Sequence, residues 1–176
     1  MDELILTRPT EKYAAEITAY RKEFIEASGS MDGCGSLRRI ADPLEWIADT
    51  ERKSKKETCP KELVTATLFL YIRKSDERLI GMIQIRHELN DYLREYAGHI
   101  GYSVRSSERN KGYAKRMLKD ALPYCKEIGL DKVMISCNDT NVASRKTILA
   151  NGGKYESTVF EPEKKVSLEK YWIDLS

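Results

Sequence analysis

Residues 99–128 constrain the fold of this chain more than any other segment, because they specify a strand, a turn and a helix in direct succession. Residues 99–104, HIGYSV, have the composition of a central strand. Within residues 113–128 the apolar side chains recur at spacings that place them on one face of a helix. Pro123 predicts a kink in that helix, and Gly129 is placed to end it. The fold must therefore contain a sheet strand that leads directly into an amphipathic helix.

The turn between this strand and this helix concentrates positive charge. The whole chain is nearly neutral, with 30 basic and 28 acidic residues and a formal net charge of +2. Free N–H groups and the helix dipole make a helix N-terminus attractive to anions, and Gly112 lets a phosphate approach the backbone. A solvated helix start with one glycine has the same composition, so charge alone leaves both interpretations open. From Arg105 to Lys119 the only acid is Glu108, and the basic residues are Arg105, Arg109, Lys111, Lys115, Arg116 and Lys119.

The remaining pattern predicts a mixed α/β chain without repeats or a change of composition, so residues 1–176 are expected to form a single domain. Polar connections are expected at 29–35, 54–62 and 87–98. Strands are predicted at 4–8, 64–72, 79–86 and 132–137, helices at 11–27, from 42 onward through 47 and at 141–150, and a closing hairpin at 154–160 and 170–175.

Composition excludes several classes of protein. The near balance of charge argues against a nucleic-acid coat protein, and no apolar run approaches the roughly 20 residues of a membrane helix. The N-terminal residues lack the pattern of a secretory signal. The cysteines are too dispersed for a zinc site, so we expect no metal and reduced thiols in a cytoplasmic protein. They are Cys34, Cys59, Cys125 and Cys137.

The turn also resembles a known family. Residues 109–114, RNKGYA, match the Gln/Arg-x-x-Gly-x-Gly/Ala signature of the GCN5-related N-acetyltransferase (GNAT) superfamily. The strand GYSV before it, the strand KVMISC after the helix, and the order of elements along the whole chain are similar to that family as well. The resemblance implies an α+β fold of three α/β layers, in which a mixed, mostly antiparallel sheet of six to seven strands is flanked by helices. Its central strands would splay apart.

For the cofactor, the resemblance implies acetyl-CoA as co-substrate. The strand residues Tyr102, Ser103 and Val104 would pair with the pantetheine arm. Asn141 and Ser144, after the next strand, match residues that contact the pantetheine region, although Asn141 would also serve as a helix N-cap. The pyrophosphate would lie on the turn formed by Arg109, Asn110, Lys111, Gly112, Tyr113, Ala114 and Lys115.

The sequence departs from the family in its acid–base residues. The position at which many relatives carry a tyrosine acid is Ile148, and the position of a strand glutamate is Ser136. Glu88, His99 and Tyr102 are the remaining candidates for catalysis. Each also has an ordinary interpretation: Glu88 as a surface residue, His99 as a histidine satisfied by its neighbours, and Tyr102 as core packing. The loop at 88–96 is acidic and contains tyrosine, which suits a cationic amine, although a solvated loop has much the same composition.

Three functions are therefore compared. The first is transfer of an acetyl group from acetyl-CoA to a primary amine, on a small molecule or a peptide, by direct attack in a ternary complex. The second is a CoA-binding sensor or regulator without turnover, and the third is a small module that binds RNA or phosphate through residues 105–119. We expect the first, with no nucleic-acid or membrane partner, and the resemblance allows a homodimer.

Overall fold

A computed structural model describes residues 1–176 and contains seven strands and four α-helices. Three short helical segments, Glu11–Tyr13, Leu93–Ala97 and Ser106–Glu108, connect them. The strands are β1 (Leu4–Thr7), β2 (Ala66–Arg73), β3 (Arg78–Arg86), β4 (Ile100–Val104), β5 (Lys132–Asn138), β6 (Lys154–Glu161) and β7 (Val166–Asp174). The helices are α1 (Ala14–Glu26), α2 (Pro43–Lys53), α3 (Tyr113–Glu127) and α4 (Val142–Ala150).

The strands form two antiparallel sheets. The first has four strands in the order β1-β2-β3-β4, and the second has three in the order β5-β7-β6. Helices flank these sheets, so the predicted α/β architecture with mostly antiparallel strands is confirmed. The closing hairpin is longer than predicted: β7 pairs with β6 from Val166, opposite Glu161, so the connection is a tight turn of four residues at 162–165.

The core has two parts, one on each face of the four-stranded sheet. On one face, the apolar stripe of α3 packs with side chains of β3, β4 and β5, and Met117, Leu118 and Ala121 are fully buried there. On the other face, α1, α2 and the loop between them cover the sheet, with Tyr20 and Trp46 as the largest buried side chains. The periodicity that predicts α3 is therefore confirmed by burial, and α3 continues through Pro123.

The two sheets meet at only one end of β4 and β5. There the His99 N–H donates to the Met134 carbonyl at 2.8 Å, and the Met134 N–H donates to His99 Nδ1 at 2.9 Å. Gly98 bridges to Ile135, and a Cβ at Gly98 would collide with the Met134 carbonyl. Beyond this end no ladder joins β4 to β5. The splayed central strands predicted from the resemblance are present, and His99 stands at their closed end.

Candidate active site

The turn before α3 presents a row of free backbone donors. Asn110 and Gly112 both have left-handed conformations, with φ of 63° and 80°, and Gly112 directly precedes α3. The N–H groups of residues 110–115 donate to no acceptor in the protein. A Cβ added to Gly112 would have nothing within 4 Å, so the space in front of these donors is open. Six consecutive free N–H groups at the positive end of a helix suit an anion such as a diphosphate.

The cations of this turn are more engaged with the protein than the sequence suggests. Arg109 donates from Nε to the Val104 carbonyl at 2.9 Å and lies over the Phe24 ring. Lys111 Nζ is 3.3 Å from a Glu108 carboxylate oxygen, and Arg116 donates to the backbone carbonyl of Asp2. These three cations therefore have partners within the protein, whereas the six backbone N–H groups have none.

Arg105 does not belong to the predicted anion site. Its side chain is buried and donates to Glu23 at 2.8 Å and to the Leu79 carbonyl at 2.9 Å. Burial alone would raise the pKa of Glu23, but hydrogen bonds from Arg105 and from residues 106 and 107 lower this pKa to about 2. Arg105 therefore fixes α1 to the turn, which is a structural role that its position in a basic run did not reveal.

Glu108, the single acid among residues 105–119, fixes the turn through its buried carboxylate. Its carboxylate is buried, accepts two hydrogen bonds from Arg73 at 2.8 and 2.9 Å, and also approaches Arg78 and Lys111. Burial opposes ionisation, but hydrogen bonds from Arg73 and Lys111 leave its pKa lowered. The roles of Glu23 and Glu108 are not apparent from the sequence, because residue type and spacing do not identify arginine partners that lie 82 and 35 residues away.

The free edge of β4 faces the cleft between the sheets. Arg105 donates its backbone N–H to Ile80, and the His99 carbonyl accepts from Arg86. Between these two bonds, residues 101 and 103 turn their backbone groups toward β3. Residues 100, 102 and 104 therefore turn theirs away from β3, toward β5. At Tyr102 the backbone N–H and carbonyl are available to an extended ligand that adds to the sheet edge.

The Tyr102 side chain crosses from β4 to α4. Its hydroxyl lies 2.8 Å from the Ser144 Oγ, and burial raises the pKa of Tyr102 to about 12. Ile148, one turn further along α4, is fully buried in the core and has no acidic proton to donate. The Asn141 Oδ1 accepts from the Ser144 N–H at 3.1 Å, so the N-cap predicted for Asn141 is present, and its contact with the cofactor stays a prediction.

No hydrogen bond joins any two of the three candidates for catalysis. Glu88 is exposed and lines a separate cavity of about 240 Å³ together with Ser54, Lys56, Thr65 and His87. His99 is buried, and its Nδ1 is occupied by the Met134 N–H. Glu88 therefore stays a prediction without a supporting contact, whereas the contacts of His99 favour a structural role.

The structural role of His99 predicts a pH dependence of stability. Burial, with nearby Arg86 and Arg94, lowers the pKa of His99 from 6.5 to about 4. Between these values the unfolded chain binds a proton that the native protein excludes, so the free energy of unfolding falls as pH decreases from 6.5 to 4. The slope from this group approaches about 1.4 kcal/mol per pH unit. Urea titrations across this range should measure it.

The variant His99→Gln keeps an acceptor for the Met134 N–H but cannot titrate, so its unfolding free energy should change less between pH 6.5 and 4. The matched control is His87→Gln. His87 contacts the Thr67 hydroxyl at 2.8 Å on another part of the sheet, and burial lowers its pKa less than that of His99, so His87→Gln should remove a smaller part of the pH dependence. A His99→Gln protein that loses stability in parallel with the wild type would contradict the assignment.

The loop between α1 and α2 forms a wall against β4. A Cβ at Gly33 would stand 2.5 Å from the Gly101 carbonyl, so only glycine permits this approach. The Tyr20 hydroxyl donates to the Ser103 carbonyl at 3.0 Å, and Trp46 donates to the Cys34 carbonyl at 2.9 Å. The segment that contains α1, α2 and the loop between them is therefore fixed against β4.

Two antiparallel sheets that separate at β4 and β5, with a row of free N–H groups before α3, define the acetyltransferase class of α/β folds. A family model described as acetyltransferase (GNAT) domain matches residues 3–154. The chain therefore belongs to the GNAT acetyltransferase family.

Solved structures support the same fold. The microcin C7 self-immunity acetyltransferase MccE, in complex with acetyl-CoA and AMP, is 20% identical with a TM-score of 0.72, and the match covers 99% of this chain and 93% of MccE. The ribosomal-protein-S5-alanine acetyltransferase from Vibrio fischeri is 18% identical with a TM-score of 0.73, over 98% of this chain and 92% of the other. The structure of yncA from Salmonella typhimurium, with its cofactor acetyl-CoA, is 13% identical with a TM-score of 0.66, over 98% of this chain and 94% of yncA. No curated protein matches the sequence significantly.

Proposed function

We propose that residues 1–176 act as one domain that transfers an acetyl group from acetyl-CoA to a primary amine. The observation that carries the proposal is the continuous surface formed by the six free N–H groups of residues 110–115 and the free edge of β4. One part suits a diphosphate, and the other suits an extended amide-containing arm. Membership of the acetyltransferase family supports the assignment of these two parts to one ligand.

In this proposal the cofactor is held mainly by backbone groups. Residues 110–115 bind the pyrophosphate, with Arg109 at the start of the turn. The Tyr102 carbonyl and the Val104 N–H, which face the cleft, pair with the pantetheine arm. The Ser103 backbone faces β3 and its carbonyl accepts from Tyr20, so the pairing predicted for Ser103 is corrected. Asn141 and Ser144, at the start of α4, lie across the cleft and contact the arm from the other side. The open space in front of Gly112 fits such a ligand.

The chemistry is direct attack of a neutral amine on the thioester within a ternary complex. The nitrogen bonds to the carbonyl carbon, the carbon–sulfur bond breaks, and the nitrogen loses a proton to water or a base. The Tyr102 N–H, which faces the cleft, stabilises the negative charge on the thioester oxygen. The Tyr102 hydroxyl, which is protonated at neutral pH, donates a proton to the departing thiolate.

A second function, a CoA-binding sensor or regulator without turnover, is favoured by one observation. Ile148 occupies the position of the usual tyrosine acid and is fully buried among core residues. Under this alternative the cofactor site is unchanged and Tyr102 only packs against α4. The two functions differ in turnover and agree in binding.

Calorimetry with acetyl-CoA, followed by thiol-release assays on a panel of amines, tests both functions. Binding with turnover supports the transferase, and binding without turnover on any amine supports the sensor. A protein that does not bind acetyl-CoA would contradict both.

Cellular location and assembly belong to the proposal as well. No helix is both long and apolar enough to cross a membrane. All four cysteines are free thiols, three of them buried, which supports a reducing, cytoplasmic location. We expect an amine on a small molecule or a peptide as partner and no nucleic-acid or membrane partner. Assembly as a homodimer stays a prediction that light scattering would check.

A further inference from the structure

A cavity of about 350 Å³ lies on the α1–α2 side of the four-stranded sheet, and its charged lining is entirely basic. Arg39 comes from the loop before α2, Lys53 from the end of α2, and Arg86 from the end of β3. Gln84 and Asn90 add neutral polar groups, and no aspartate or glutamate lines the cavity. Because the whole chain has a net charge of only +2, this lining does not reflect a generally basic protein.

Arg86 connects the cavity to the cofactor strand. It follows Gln84, which pairs with Gly101 of β4, and a Cβ on Gly101 would lie 3.7 Å from the Arg86 Nη2. Its Nη1 donates to the Gly98 carbonyl at 3.0 Å, and no other group of the protein accepts from this guanidinium. It has no carboxylate within 4 Å. Burial lowers its pKa and so makes its charge costly, and the more distant charge of Asp32 opposes this shift only in part. A guanidinium in this situation is suited to bind an anion from outside the chain.

Arg39 and Lys53 meet at one hydroxyl. Arg39 Nη2 and Lys53 Nζ each donate to the Ser36 Oγ at 3.0 Å. Lys53 also pairs with Asp49 at 2.7 Å, but that carboxylate is shared with Arg52 at 2.6 Å. Arg39 has no acidic partner within 4 Å. The positive charge of Arg39 and Lys53 is therefore only partly compensated by nearby carboxylates.

Resting on the proposed acetyl transfer, we propose that the acceptor is an amine that carries a carboxylate or phosphate, which Arg86, Arg39 and Lys53 bind in this cavity. The anion lies against the cations, and the amine reaches the free edge of β4 at Tyr102, where the thioester is held in the proposed function. Nearby positive charge also lowers the pKa of a bound ammonium group and so favours the neutral amine that attacks the thioester.

This inference replaces the cationic amine expected from the acidic loop at 88–96. The residues of that loop that line the cavity are Asn90, Tyr92 and Leu93, which are all uncharged. Glu88, one of the acidic residues of that loop, lines the other cavity with Lys56. A polycation would therefore meet the basic wall without a carboxylate to bind it.

Matched acceptors test the substrate class. Thiol release is measured for a set of L-amino acids against their carboxamides, for phosphoethanolamine against ethanolamine, and for spermidine. We expect kcat/KM to be about ten-fold or more higher for the anionic member of a pair, since one charge-assisted contact is enough for that factor. The amino-acid and phosphate arms distinguish the two anions. Equal or better use of the carboxamides, ethanolamine or spermidine would overturn the inference while leaving acetyl transfer intact.

Substitutions test whether Arg86 and Arg39 bind the anionic group of the acceptor. In Arg86→Gln and Arg39→Gln the KM for the anionic acceptor should rise about ten-fold, while the affinity for acetyl-CoA and kcat/KM for the neutral partner stay within about two-fold. The control Lys61→Gln removes an exposed cation outside the cavity and should change none of these values. Equal losses for anionic and neutral acceptors would contradict the assignment. If Arg86→Gln does not fold, the exposed Arg39 carries the test by itself.

Binding provides a readout that does not depend on turnover. N-Acetylated amino acids and their carboxamides are titrated calorimetrically into the CoA-saturated wild type and Arg39→Gln proteins. We expect the wild type to bind the acids more tightly than the amides, and Arg39→Gln to lose this preference. Absence of turnover on every amine would reject the proposed acetyl transfer, and absence of the acid preference would reject the anion site.

Discussion

Replacing Gly112 with glutamate is expected to weaken acetyl-CoA binding by about 100-fold or more while leaving the protein folded. Gly112 lies within the row of free N–H groups at residues 110–115, so a carboxylate there would accept their hydrogen bonds and repel the phosphates. Loss of two charge-assisted hydrogen bonds at about 1.5 kcal/mol each is enough for that factor. Calorimetry measures the affinity, and thermal unfolding measures the fold.

The chain offers a matched control for this substitution at the other end of α3. Gly129 also has a left-handed conformation, with φ of 94° against 80° at Gly112, and a Cβ at either position meets nothing within 4 Å. Gly129→Glu therefore has the same backbone strain and the same added charge far from the turn. It should bind acetyl-CoA like the wild type. Normal binding by Gly112→Glu would mean that the phosphate site lies elsewhere.

Local features of the structure were predictable from sequence. The strand, turn and helix at residues 99–128 are encoded by neighbouring residues, because apolar periodicity and glycine placement act over a few positions. The same holds for the Asn141 N-cap, which needs only the next three residues. The turn at 162–165 and the early start of β7 were not predictable in this way, because the first residues of β7 are set by their pairing with β6.

Contacts between distant segments were not predictable in this way. Arg105 was grouped with the cations of the turn because its neighbours are basic, but its partner Glu23 lies 82 residues earlier. The cationic cavity combines Arg39, Lys53 and Arg86, which share no motif and become neighbours only when α2 packs on the sheet. A single sequence shows the charge of such residues but not their partners. The proposed substrate class could therefore be inferred only from the tertiary structure.

Replacing Tyr102 with phenylalanine is expected to lower kcat by about 100-fold, the lower range for loss of a general acid. The hydroxyl reaches α4 at the Ser144 Oγ, one turn before Ile148, so it delivers a proton to the region that Ile148 leaves without a donor. Burial raises the pKa of Tyr102 to about 12, so the deficit should be constant from pH 6 to 9. Affinity for acetyl-CoA should change little, because the Tyr102 backbone is retained.

Two further variants separate proton donation from packing. Tyr124→Phe removes a comparable hydroxyl, which lies 2.8 Å from the Thr67 Oγ1 on the same face of the sheet, and it should leave kcat unchanged. Ser144→Ala removes the partner of Tyr102 and retains the donor, so we expect only a loss of a few fold in kcat. If Tyr102→Phe weakens acetyl-CoA binding as strongly as it lowers kcat, the residue shapes the cleft rather than donating a proton. If kcat is unchanged, Tyr102 does not replace the tyrosine acid that is missing at position 148, and the proton comes from water or another group.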